Sequence, residues 1–258
     1  MTFSFKFGDE DLITRTANQE YRALIRNVIQ GGHIACPRGT KTFELNNAHT
    51  LISLSHPKMT IPERVIGEKF RAAEAWWILT GRNDVASIAP YSKQIAKFSD
   101  DGVYFAGAYG PKVVDQLSYV VGCLHKDIDS RQAIISIWRE NLRVTKDVPC
   151  TLNMQFLVRQ GALHCIVNMR SSDLWLGWPY DVFNFSMIAR RVREMLNFDV
   201  RPGFLCINHG SLHLYDHDVE FAKAVAGADV PEDDGYFPWI IEGGVIHRLE
   251  YLKDAPRD

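Results

Sequence analysis

Between residues 133 and 169 the sequence abandons helical spacing. The runs 133–138, 150–158 and 162–169 are short, rich in β-branched and aromatic residues and bounded by turn formers, so they read as neighbouring strands. Gln160-Gly161 fits a hairpin turn between the last two. On either side the apolar period is that of a helix. The first helix is expected over 18–30, with Asn18 as N-cap, Tyr21, Leu24, Ile25 and Val28 on one face, and Gly31-Gly32 to end it. A polar turn over 36–42 leads into a β-rich stretch that runs to Leu54. A long helix is expected over 62–79, burying Val65, Ile66, Phe70, Ala73 and Trp77, and others over 111–124 and 183–196. Residues 83–108 are polar and read as a surface segment. Strand-like pieces at 203–207 and 211–215 precede a short helix over 219–225. With no repeat and no linker, the economical reading is one α/β domain over 1–258, a central mixed sheet flanked by helices.

Composition narrows the function classes. Lys plus Arg number 29 against 31 Asp plus Glu, so the basic excess of a general nucleic-acid binder is missing. No apolar run approaches the roughly 20 residues that a membrane span needs. Charge interrupts the first ten residues too early for a signal peptide, which makes the cytoplasm the expected compartment. Five widely spaced cysteines, with no C-x-x-C pair, argue against a disulfide framework and a zinc knuckle, and most read as small packed residues. His213-x-x-x-His217 has helical ligand spacing but lies in a strand-to-turn run, so no metal is expected. Gly107-Ala-Tyr-Gly110 lacks the features of a dinucleotide fingerprint. Tryptophans read as core and pocket wall, and Arg190, Arg191 and Arg193 as a solvated or interface helix face.

A few residues carry chemical potential. Cys150 follows Pro149 at the head of a strand and is either packed or nucleophilic. Arg170-Ser171-Ser172-Asp173 ends the next strand; it is either an anion site or a surface ion pair between Arg170 and Asp173. An arginine near the cysteine would favour its thiolate. Glu74 sits among alanines and tryptophans, surroundings that raise a carboxyl pKa toward neutrality.

Taken in order, Arg38-Gly-Thr, Glu74, Tyr109-Gly110, Ser130-Arg131, Pro149-Cys150, Gln155-Phe156, Arg170-Ser171-Ser172-Asp173, Leu176-Gly177, Pro179-Tyr180-Asp181 and Gly210-Ser-Leu-His213-Leu-Tyr215 resemble the thymidylate synthase family over roughly residues 20–220. The resemblance implies a homodimer packed through its sheets. It implies a nucleoside monophosphate substrate and 5,10-methylenetetrahydrofolate as co-substrate, with no metal, membrane or nucleic-acid partner. Cys150 matches the nucleophile that adds to pyrimidine C6, with Glu74, Asp181 and Tyr109 beside it. Arg38, Arg170 and Ser171 match phosphate ligands, and Arg131 an arginine that crosses to the partner's phosphate, although Gln132 stands where a second arginine is usual. His213 and Tyr215 match the pair on the sugar hydroxyl; Asp173, Gly177 and Glu74 lie on the folate side.

The departures from the family pattern point further. Thr151 replaces a histidine, Met169 a glutamine, and Asp181 the asparagine that reads uracil. Cytosine presents the reverse hydrogen-bonding edge, which a carboxyl group suits. These residues look like the cytidylate hydroxymethylase branch, with dCMP as the expected substrate because Ser171 keeps the hydroxyl of the deoxynucleotide enzymes. A segment over 88–95 without tryptophan, and Thr151 as a holder of water, suggest hydration rather than reduction. The alternatives are a thymidylate synthase, a cytidylate methylase, a CMP-specific hydroxymethylase, or a non-catalytic nucleotide- or RNA-binding relative.

Overall fold

The computed structural model describes residues 3–7, 10–92, 94–139, 144–229, 234–238 and 244–253, with backbone alone for 3–13 and 251–253. Lys93 of the 88–95 segment and both ends of the expected 1–258 domain lie outside the described residues. A hairpin of β1 (Phe3–Phe7) and β2 (Glu10–Thr14) comes first, followed by α1 (Ala17–Gly31), β3 (His33–Ala35) and β4 (Thr42–Ser53). Then come α2 (Glu68–Leu79), α3 (Gly110–Lys126), β5 (Ile134–Ser136), β6 (Thr151–Arg159), β7 (Ala162–Met169) and β8 (Ser172–Asp173). The chain continues through α4 (Trp178–Met195), β9 (Arg201–Tyr215), α5 (Val219–Gly227) and α6 (Gly244–Lys253). No helix among the described residues is long and apolar enough to cross a membrane.

The sheet is mixed and runs in the order β3-β4-β9-β7-β6-β5, with β8 beside the distal half of β9. Gln160 and Gly161 both take positive φ (51° and 70°), the turn that keeps β6 and β7 in antiparallel register. β7 and β9 are parallel, so the chain must cross over between them, and α4 is that crossover. The strands expected at 203–207 and 211–215 form one continuous strand. Gly210 does not break it; it marks where β9 changes neighbour from β7 to β8.

Two helix starts differ from expectation. Thr16, not Asn18, caps α1 through a capping box with Gln19, while the buried Asn18 exchanges hydrogen bonds with Thr60. The expected 62–79 helix begins only at Glu68, because the 61–64 segment closes a separate turn and Gly67 disfavours helix; Val65 is left 81% exposed. α4 starts earlier than 183, at Trp178, since Pro179 suits a first helical turn. This helix is nearly surrounded, with β7 and β9 beneath it and α2, α3 and α6 around it. Consequently Arg190 is not on a solvated face: it is 1% exposed and donates to the Phe237 and Pro238 carbonyls. The 83–108 segment contributes Val85, Ile88, Phe105 and Ala108 to the core rather than running wholly on the surface. Of the cysteines only Cys165 is fully buried, and Cys36 is exposed; all five are free.

A buried polar chain fixes the start of α4. Trp178 stacks on Tyr21 at 5.1 Å, its Nε1–H donates to Thr50 Oγ1 (2.9 Å), and that hydroxyl meets His209 Nε2 (2.9 Å). Thr50→Val keeps the volume but leaves the indole N–H and the imidazole unpaired in the core. It is expected to lower stability by about 2–4 kcal/mol, read as a shifted urea midpoint at unchanged slope.

Candidate active site

A cavity of about 190 Å³ opens between α2, α4 and the segment ahead of α3. Trp77, Phe98, Phe105 and Tyr109 supply flat apolar walls, and Glu74, Asp147, Asp181 and Asn184 supply the polar groups. Each acid is delivered by a different element: Glu74 by α2, Asp181 by the first turn of α4, Asp147 by the loop before β6. Gly107 is required beside the last, because its N–H donates to Asp147 Oδ2 (2.6 Å) and a Cβ there would lie 2.4 Å from the Asp147 carbonyl.

Burial decides the state of the acids. Glu74 is pushed up to about 7 by loss of water, partly offset by the 2.8 Å hydrogen bond it accepts from Asn184 Nδ2. Asp181 rises well above the usual carboxylate range, from burial first and then from the negative charges of Glu74 and Asp173. The N-terminus of α4 pulls the other way, but a helix dipole contributes only about 0.3–1 kcal/mol. Asp181 is not the cap of α4 either: Gly177 holds that position and accepts the Asp181 N–H at 3.0 Å. The site therefore biases Asp181 toward its protonated form and leaves Glu74 titrating near neutrality.

Cys150 does not line this cavity but lies near enough to interact electrostatically with Tyr109, Asp181 and Asp147. Its neighbour Thr151 donates from both N–H (3.2 Å) and hydroxyl (3.0 Å) to the Tyr109 hydroxyl oxygen, leaving the phenolic proton available to a ligand. The fully buried Thr151 is thereby engaged with Tyr109 rather than open to hold water. Arg170 donates through Nε to the Pro149 carbonyl (2.9 Å) and through Nη2 to that of Val148 (3.0 Å), with Cys150 Sγ 3.8 Å away. The guanidinium favours the thiolate as expected, yet burial outweighs it and the Cys150 pKa is raised. The surface ion pair between Arg170 and Asp173 is not what forms: Asp173 Oδ1 accepts the Trp175 and Leu176 N–H groups, both at 2.9 Å.

The other expected residues fall in two groups. Asp173 pairs in register with His213, and His213 meets Tyr215 edge-on at 5.4 Å. Gly177 lies between, where a Cβ would approach Asp173 O at 3.3 Å and Asp181 Oδ2 at 3.4 Å. Ser171 follows Arg170 and is half-buried, and Arg38, exposed at a positive φ of 53°, is near enough to act electrostatically on His213. Arg131 is apart. It is exposed beside a separate cavity of about 680 Å³ with Lys126, Asp129 and Arg159. Two site residues were not expected from sequence, Asp147 and Asn184. Asp147 had a signal, three residues before Cys150; Asn184 had none, because its partner Glu74 is 110 positions away. Among the described residues no group of three or more His, Cys, Asp or Glu is placed to hold a metal.

This fold is consistent with what sequence comparison finds. The profile of the thymidylate synthase family covers residues 19–227, and the chain belongs to that family. It is 32% identical over 264 residues to the deoxyuridylate hydroxymethyltransferase of Bacillus phage SP01, covering 92% of this chain and 66% of that protein. A deoxyuridylate hydroxymethyltransferase of Pseudomonas phage M6 is 31% identical over 164 residues, 60% of this chain and 46% of that one. The thymidylate synthase of Buchnera aphidicola subsp. Schizaphis graminum is 25% identical over 218 residues, with 80% and 82% covered. The chain thus spans less than two thirds of the length of either phage relative.

Arg170→Lys loses both carbonyl tethers and moves the cation from the thiol. The Cys150 pKa should climb further, so alkylation of the Cys150 peptide at pH 8, followed by mass spectrometry, should slow roughly threefold to tenfold.

Proposed function

We propose that this protein is a folate-dependent pyrimidine nucleotide C5-hydroxymethyltransferase that acts on dCMP. The buried carboxyl of Asp181, which lines the cavity and is biased toward its protonated form, carries the reading. A neutral acid offers one O–H donor and one carbonyl acceptor, matching N3 and the N4 amine of cytosine. When sulfur adds to C6, N3 becomes more basic, and the acid shares or surrenders its proton there. Uracil gains no equivalent basic nitrogen.

The roles follow from position. Cys150 adds to C6, and the exposed guanidinium of Arg170 takes the phosphate with Ser171 and Arg38. His213 and Tyr215 take the sugar hydroxyl. The aromatic walls at Trp77, Phe98 and Phe105 fit a flat pterin ring, with Asp173 and Gly177 along its side. Bound methylenetetrahydrofolate supplies the one-carbon unit. Glu74, titrating near 7, moves protons at the base and receives one from the water that completes the hydroxymethyl group.

A second reading takes dUMP as substrate. Both phage relatives are deoxyuridylate hydroxymethyltransferases, and a neutral carboxyl also fits O4 and N3–H if its donor and acceptor exchange places. Incubation with methylenetetrahydrofolate and dCMP, CMP, dUMP or UMP, followed by mass analysis, should give hydroxymethyl-dCMP as the main product and tetrahydrofolate unoxidised. Asp181→Asn should lower the dCMP-to-dUMP ratio of kcat/KM by about ten- to a hundredfold, the worth of one hydrogen bond to a partner that shares or surrenders its proton. A wild type that prefers dUMP establishes the second reading instead.

Arg131, remote from the cavity of its own chain, is assigned to the phosphate of a partner subunit in a two-fold homodimer. Arg131→Ala and Cys150→Ser homodimers should each be inactive and regain activity after subunit exchange, since one mixed site then has both residues intact. Heterodimers that form but stay inactive refute the shared site.

A further inference from the structure

The Asn184 amide is only half used. Its Nδ2 donates to Glu74, while Oδ1 is buried with no partner among the described residues, in a residue 4% exposed that lines the same cavity. Turned over, the amide would set Oδ1 against the Glu74 carboxyl, tolerable only to its protonated form, and the ionised form would lose the N–H that holds it. A buried orphan acceptor marks a missing donor.

We infer that Asn184 positions the attacking water: Oδ1 and the Glu74 carboxylate accept its two O–H groups, leaving an oxygen lone pair aimed at the one-carbon unit on C5. The inference rests on the hydroxymethylation proposed above. In the step, water oxygen bonds to the exocyclic methylene carbon and one water proton passes to Glu74. The methylene π pair moves into the ring, restores C5=C6, and the Cys150 sulfur leaves C6 with its bonding pair. No oxidant or reductant is needed. A donor from the base, such as N4–H, is the competing occupant, but Asp181 one turn earlier on α4 already serves that edge.

The titratable groups facing Glu74 are Asp181 on α4, Tyr109 ahead of α3 and Asp147 before β6. None of them donates to it, so the amide N–H is the support that Asn184→Leu removes. The ionised form of Glu74 loses a stabilising bond, its pKa rises, and the acid limb of kcat moves to higher pH.

The experiment uses C5-tritiated dCMP, methylenetetrahydrofolate and 2-mercaptoethanol, which traps an unhydrated methylene as a thioether. In Asn184→Leu the hydroxymethyl product per tritium released should fall at least about tenfold. The thioether should take its place, at a dCMP affinity within about twofold of wild type. Should the leucine variant fail to fold by circular dichroism, Asn184→Ser is expected to show the same diversion, smaller in extent. Wild-type partitioning and an unmoved acid limb overturn the inference, and so does a loss confined to dCMP affinity, which would assign the amide to the base. A wild type that yields methyl nucleotide and dihydrofolate, or no C5 product, refutes the hydroxymethylation reading itself and is recognised before any variant is made.

Discussion

Two carboxyl groups withdrawn from water side by side govern this molecule. Isolated burial of an ionised carboxylate is so unfavourable that the group takes up a proton instead. Glu74 and Asp181 divide that burden unequally. Glu74 has an amide N–H to hold it and comes to rest near neutrality, whereas Asp181, facing two other acids, is pushed well above the usual carboxylate range. The fold must keep them there against their tendency to return to solvent. It does so by carrying one on α2 and the other on the first turn of α4, a helix enclosed by sheet and helices. The Trp178–Thr50–His209 chain then fixes that first turn to the sheet.

The sheet topology explains why this place is available. A parallel β7–β9 pair forces a crossover, and the crossover helix begins where β7 ends. Arg170, Asp173, Gly177 and Asp181 follow one another along that short connection. The antiparallel neighbour β6 begins at the same edge, so Cys150 arrives next to Arg170, whose N–H donates to the Cys150 carbonyl at 2.9 Å. Chemistry spread over 30 residues of sequence becomes local because two strands share an edge.

Much of this could be read from sequence. Period changes located most strands and helices, and turn chemistry located the β6–β7 hairpin. The residues resembling a known family did converge where Glu74, Tyr109 and Asp181 line one cavity. What stayed hidden were interactions set by distant partners. Arg190 has the outward spacing of a solvated residue, and the 237–238 segment lying over α4 takes up its guanidinium. Asn184 sits among aromatic and apolar neighbours and reads as filler until α2 brings Glu74 to it. The net state of the Cys150 thiol is hidden for the same kind of reason. A nearby arginine is visible in sequence, but the enclosure that outweighs it is a property of the folded site.

That enclosure gives the pair of Cys150 and Asp181 a single logic. Addition to C6 calls for a thiolate and a proton donor together, whereas ordinary pKa values offer the reverse, an ionised aspartate beside a neutral thiol. Raising Asp181 well above the usual carboxylate range works against that order. Proton donation to the base and attack by sulfur then become parts of one exchange, and the nucleophile need not stand ionised in advance. Without a ring to accept the Asp181 proton, the thiol remains protonated and slow to react with water-borne electrophiles. In the proposed reaction, a nucleotide whose ring takes that proton as sulfur attacks is the one that completes the exchange, so discrimination between bases and activation of the nucleophile draw on the same buried acid.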